Sequence, residues 1–161
     1  MYRRALVPLD GSSVAEAIIP FIVDIAGPLD MEVVLLRVVE PIAPIVIEGS
    51  RHVELEDVEA RRTDAEEYLA PIAVELRNRA VRVESRVRRG NPANEIVTAA
   101  RETGADLIAM STHGRGGLGR LVFGSVAQAV LRHVDTPVLL MRTTEAQVAK
   151  RVAGKAVEKH A

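Results

Sequence analysis

Apolar runs closed by turn signals alternate along this chain with segments of helical period, which is the pattern of βαβ units rather than of a β-sandwich. Strands are expected over residues 5–9, 32–39, 81–87, 105–110 and 137–141. Between them lie four helical segments, so the expected order is βαβαβαβαβ in one α/β domain. At 161 residues, folding should bury about 70% of the surface of the unfolded chain, enough for an ordinary core. Hydrophobic residues make up 48%, but with two Phe, two Tyr and no Trp the core has to be built from Val, Ile, Leu and Ala. That mixture suits a buried parallel sheet covered by helices.

Local signals fix several helix ends. Ser13 and Glu16 are spaced as a capping box for the first helix, which Pro20 should kink and the Gly27-Pro28 pair should stop. A Pro-rich stretch over 40–49 is long for a connection and is expected to be mobile or functional. After it, Val58, Ala65, Leu69, Ile72 and Leu76 mark one face of a long charged helix that Pro71 should bend. Asn91-Pro92 reads as an N-cap with proline at the first helical position, and Gly104 as the end of that helix. A further helix is expected over 125–133. The tail over 143–161 holds every lysine, at Lys150, Lys155 and Lys159. Val148, Val152 and Val157 would line a weak helix there, but the preferred reading is a frayed, charged terminus.

Composition also excludes functions. With no cysteine there is no disulfide, thiolate metal site or cysteine nucleophile. A formal net charge of −1 with dispersed basic residues lacks the footprint of a nucleic-acid binder, and the aromatic platforms for stacking bases are missing. No stretch resembles a signal-type apolar region or a membrane span, so a soluble cytoplasmic protein is expected.

The segment that carries chemistry runs from Met110 to Ser125 and includes Gly114, Gly116, Gly117, Gly119 and Gly124. It leaves the carboxyl end of a strand and enters the amino end of a helix, where free N–H groups and the helix dipole attract anions. Glycines let the backbone curl around phosphate oxygens, Ser125 offers a hydroxyl and an N–H, and Arg115 and Arg120 can offset phosphate charge. The dinucleotide pattern G-x-G-x-x-G fits Gly114, Gly116 and Gly119, but it follows the fourth strand instead of the first. The P-loop pattern fails because Arg120-Leu121 stand where Lys and Ser or Thr are needed. The competing reading is a plain connector, which needs fewer glycines. His113 is read as a hydrogen-bonding group, and His52, His133 and His160 lack ligand spacing. Asp10 ends the first strand, where open α/β sheets bind ligands, and it is equally placed to cap the first helix.

Together these residues resemble the universal stress protein family in its ATP-binding branch, over about residues 1–142. The likeness rests on Val7-Pro8-Leu9-Asp10-Gly11-Ser12, on Leu35-Leu36-Arg37-Val38-Val39, on Gly90-Asn91-Pro92 and on Ser111-Thr112-His113-Gly114 followed by Gly124-Ser125. The family loop reads glycine, two residues, glycine, nine residues, glycine, Ser or Thr, and Ser111 replaces the first glycine. The resemblance implies a Rossmann-like open sheet of five parallel strands in order 3-2-1-4-5 with helices on both faces. It implies that Pro8, Asp10 and Val38 line an adenine slot and that Met110 and Ser111 face the ribose. Gly114, Arg115, Gly117, Gly124, Ser125 and Val126 would then hold the triphosphate with Mg2+ or Mn2+. The Ser111 hydroxyl is expected to point into the cleft. A homodimer through the strand over 137–141 is implied as well, and its apolar edge suits pairing. The expected role is a nucleotide-responsive binding module rather than primarily an enzyme, with a slow ATPase and a nucleotide-independent dimeric scaffold as alternatives.

Overall fold

A computed structural model describes residues 1–42, 51–113 and 124–158. Its strands are β1 (Arg4–Pro8), β2 (Glu32–Val39), β3 (Arg82–Arg89), β4 (Leu107–His113) and β5 (Val138–Thr143). Its helices are α1 (Ser13–Glu16), α2 (Ile18–Ala26), α3 (Arg51–Asn78), α4 (Pro92–Thr103), α5 (Ser125–His133) and α6 (Glu145–Glu158). All strand pairs are parallel, in the order β3-β2-β1-β4-β5. The order and strand number are those implied by the resemblance.

Strand periodicity sorts the core into two layers. Ala5, Val7, Val33, Leu35 and Ala109 face α2 and α3, where Ile18, Ile19, Ile22, Leu69, Ile72 and Leu76 meet them. Leu6, Val34, Leu36, Ile108 and Met110 face the other way, against Ala93, Ile96, Ala99 and Ala100 of α4 and Ala127 and Val130 of α5. With both faces covered, the central strands carry continuous apolar runs instead of alternating ones.

Helix α4 forms where its local chemistry dictates. The Asn91 side chain accepts from the Asn94 N–H at 3.2 Å, Pro92 occupies the first turn, and Gly104 closes the helix at φ 63°. Helix α3 continues through Pro71, and its Ala65, Leu69, Ile72 and Leu76 are buried as the periodicity indicates.

Four expectations are corrected. The cap of the first helix is Ser12, whose Oγ accepts from the Ala15 N–H at 3.1 Å, and not Ser13; Glu16 is buried at 3% exposure instead of closing a capping box. That helix also breaks at Ala17 into α1 and α2, because Pro20 cannot donate to the Glu16 carbonyl four residues back and its ring would collide with it. Strands β4 and β5 run further than the apolar runs suggest, since Ser111, Thr112 and His113 pair with Met141, Arg142 and Thr143. The terminus is not frayed over its first part: it forms α6, held by Arg151.

Candidate functional site

The sheet opens a cleft because β1 and β4 stay together for only two register pairs, Ala5 with Leu107 and Leu6 with Ile108. Beyond them β1 follows β2 as far as Pro8 with Leu36, while β4 follows β5. This is the point at which strand order reverses, where open α/β sheets take ligands. The resulting cleft measures about 430 Å³, within the range of small-molecule sites.

Pro8, Asp10, Val38, Met110, Ser111, Gly124, Ser125 and Val126 all line that one cleft. Gly114, Arg115 and Gly117 lie outside the described residues. Side chains of Pro8, Val38 and Met110, with Leu36, Pro92 and Ile96, give an apolar interior, and Asp10, Ser12, Arg37 and Glu40 give a polar rim. Asp10 does not cap α1; its Oδ1 accepts from the Ser12 N–H at 2.8 Å, tightening the turn that leads from β1 into the cap. The mouth near β4 is closed by the amino end of α5, whose cap Gly124 has φ −58° and ψ 154° and no side-chain bond. The first N–H groups of α5 have no partner within the helix, so they are donors for an anion.

Ser111 sits in ordinary strand geometry, since the only non-glycine residues with positive φ among those described are Asp30 and Ala80. Its hydroxyl, however, is turned toward α1, next to the Val14 carbonyl and 3.1 Å from that of Ala15. The expected orientation toward a ribose is therefore corrected: strand alternation gives Ser111 to the α1 side and Met110 and Thr112 to the α5 side. Ser111→Ala should lower stability by about 0.5–1.5 kcal/mol, the worth of one ordinary hydrogen bond. Equal urea midpoints for the variant and parent would show that this tie contributes nothing.

Thr112 is a site residue that the sequence did not reveal. It is 8% exposed, lines the cleft, and its Oγ1 accepts from the Gly124 N–H at 3.3 Å, joining the end of β4 to the start of α5. Ending the fourth strand at Met110 hid it; period-2 alternation carried two residues further would have put it beside Met110. Arg37 is another. It donates to the Leu9 carbonyl at 3.4 Å and lies 5.6 Å from the centre of the Tyr68 ring, forming one wall of the cleft. Burial first, then the Glu16 carboxylate, pushes the Tyr68 phenol well above the ordinary tyrosine value, so Tyr68 stays a donor to Glu16 at 2.9 Å.

The family model described as the universal stress protein family matches residues 1–142. The chain belongs to the universal stress protein family. Among relatives, a universal stress protein of Methanocaldococcus jannaschii is 33% identical over 144 residues, covering 88% of this chain and 83% of that protein. Among solved structures, the protein MJ0577 is 28% identical with a TM-score of 0.74, covering 90% of this chain and 99% of that one. A universal stress protein solved in complex with cAMP has the same fold at 21% identity and a TM-score of 0.64, covering 89% of this chain and 98% of that one. Among the described residues, no helix is long and apolar enough to cross a membrane.

Proposed function

We propose that this universal stress protein binds an adenine nucleotide, ATP, in the cleft between β1 and β4 and acts in the cytoplasm as a nucleotide-responsive regulatory module. The observation that carries the reading is the convergence on one cleft of an apolar interior with the uncapped amino end of α5. Pro8 and Val38 suit the faces of a purine, Asp10 suits donors on the base, and Met110 suits the ribose. Gly124, Ser125 and Val126 suit the phosphates, joined by the loop residues Gly114, Arg115 and Gly117. Ser125 offers a hydroxyl oxygen at the phosphate end of the cleft, a hard donor of the kind Mg2+ and Mn2+ take, so a divalent ion carried by the phosphates fits there. The cAMP complex of a protein with this fold agrees with adenine nucleotides as the ligand class.

The deciding experiment is mass spectrometry of whatever is released when freshly purified protein is denatured, with calorimetry of added ATP. A released adenine nucleotide, or saturable heat with ATP, is expected. An empty protein that ignores added ATP overturns the reading.

The protein is also proposed to be a homodimer through β5. Both ends of the sheet are strand edges, and their chemistry differs. Edge β3 carries Arg82, Glu84, Arg86, Arg88 and Arg89, whereas β5 begins with four uncharged residues, Val138, Leu139, Leu140 and Met141, all half-buried. Charges resist edge-to-edge pairing, so a symmetric contact is directed to β5. Light scattering should give a dimer at tens of micromolar, roughly the range where weak interfaces begin to fail. A monomer mass there would sink the dimer.

A further inference from the structure

Helix α6 starts at Glu145, beyond the residues 1–142 that match the family, and it carries two cations to one buried carboxylate. Glu16, the last residue of α1, accepts from Arg151 Nε at 3.3 Å and pairs with Lys155. It also accepts from the Tyr68 hydroxyl of α3. Arg151 forks onto both oxygens of Glu75 on α3, at 2.7 and 2.8 Å, and its side chain is only 9% exposed. Burial works against the charge on Arg151, but Glu75 and Glu16 outweigh it and keep the guanidinium protonated. Lys155 stands 5.9 Å from the Tyr68 ring centre, and Arg37 approaches the same ring. Three helices distant in sequence thus meet at one carboxylate.

What they hold is a wall of the cleft. Helix α1 is four residues long, and an isolated single turn does not sustain itself. Ser12, Val14 and Ala15, in and beside that turn, line the cleft. From the β4 side the turn is tied by the Ser111 hydroxyl to the Val14 and Ala15 carbonyls. From the other side it is tied by Glu16.

We propose that α6 is a clamp that fixes α1 against the cleft, with Arg151 and Glu16 as positioning residues for nucleotide binding. This rests on the nucleotide reading above for its effect on affinity, though not for its effect on α1. With Arg151 removed, Glu16 keeps, among the described residues, the exposed Lys155 and the Tyr68 hydroxyl, and the α1 turn gains freedom that a nucleotide has to freeze out on binding.

The test compares the full-length protein with R151M and R151K, reading amide hydrogen exchange at residues 12–17 without nucleotide and ATP affinity by calorimetry. R151M should speed exchange at 12–17 by about tenfold while β1 and β2 amides keep their protection, as for a local opening. Its ATP affinity should fall roughly three- to tenfold, with R151K recovering part of both because it restores the charge without the fork. Unchanged exchange at 12–17 overturns the clamp, and so does loss of protection spread equally over β1 and β2, which marks a fold-wide role. Faster exchange with unaltered affinity overturns the positioning role. If the parent takes up no ATP while R151M still frees 12–17, the nucleotide reading fails and the clamp on α1 is supported.

Discussion

Gly124→Glu should cut ATP affinity by at least about 100-fold, near 2.7 kcal/mol, while leaving the protein folded. Gly124 caps α5 at φ −58° and ψ 154°, values open to any residue, and an added Cβ would find only Thr112 Oγ1, 4.0 Å away. The fold therefore has no need of glycine at 124. A carboxylate there sits at the positive end of α5, where it takes the place of a phosphate as the anion and repels the phosphates that remain. Salt gives little rescue, because the charges would lie closer than the screening length of about 8 Å at physiological ionic strength. Gly124→Ala separates bulk from charge: it adds the Cβ alone and should cost less than about tenfold. Thermal midpoints near the parent's are expected for both, since each adds to an exposed position. Calorimetry finding parental affinity in the Glu variant would remove the amino end of α5 from the site.

Features set by neighbours in sequence were legible, and features set by distant partners were not. Asn91, Pro92 and Gly104 bound α4 because a cap, a fixed φ and a left-handed turn are each satisfied within a few residues. Strand β2 coincides with its apolar run, since Val33, Val34, Leu35 and Leu36 are buried between β1 and β3. The last residues of β4 look polar, and it is the pairing of Ser111, Thr112 and His113 with β5 that makes them strand. Glu16 has the spacing of a capping residue, but its partners come from Tyr68 and Arg151, 52 and 135 positions away. The charge of the tail suggested solvation for the same reason: carboxylates able to bury Arg151 lie on α1 and α3, not nearby.

At the cleft, the described residues read from the end of the loop, Gly124, Ser125 and Val126, and from the ends of the first, second and fourth strands line one space. Motif spacing located them because strand ends and a helix start come together at a switch point in any sheet of this order. The direction of the Ser111 hydroxyl was not legible. It depends on which face of β4 the residue occupies, and on α1 ending its single turn just where two carbonyls can receive it.

Gly90→Ala should lower stability by about 2–4 kcal/mol, the strain of a forbidden backbone plus a collision. Gly90 has φ +152°, a conformation that side chains rarely adopt, and its N–H donates to the Val39 carbonyl at 3.1 Å, so the backbone is not free to relax. A Cβ would stand 2.6 Å from Glu95 Oε1 and 2.8 Å from its Cγ, inside contact distance. Glu95 cannot swing away without loss, because its other oxygen receives Arg88 Nε at 2.5 Å in a partly buried pair. Arg88 would keep Glu102 as a partner, which limits that part of the cost. The strain also enters α4 at Asn91, so Pro92 and Ile96 in the cleft wall should shift with it. For a chain of this length, a loss of about 3 kcal/mol corresponds to a drop near 10 °C in the thermal midpoint. The double variant Gly90→Ala with Glu95→Ala removes the collision and leaves the φ strain, so it should lose less than the two single variants added together. A Gly90→Ala protein within about 1 kcal/mol of the parent would mean that the turn between β3 and α4 relaxes to a conformation open to any residue, and that the glycine before Asn91 is not required by the fold.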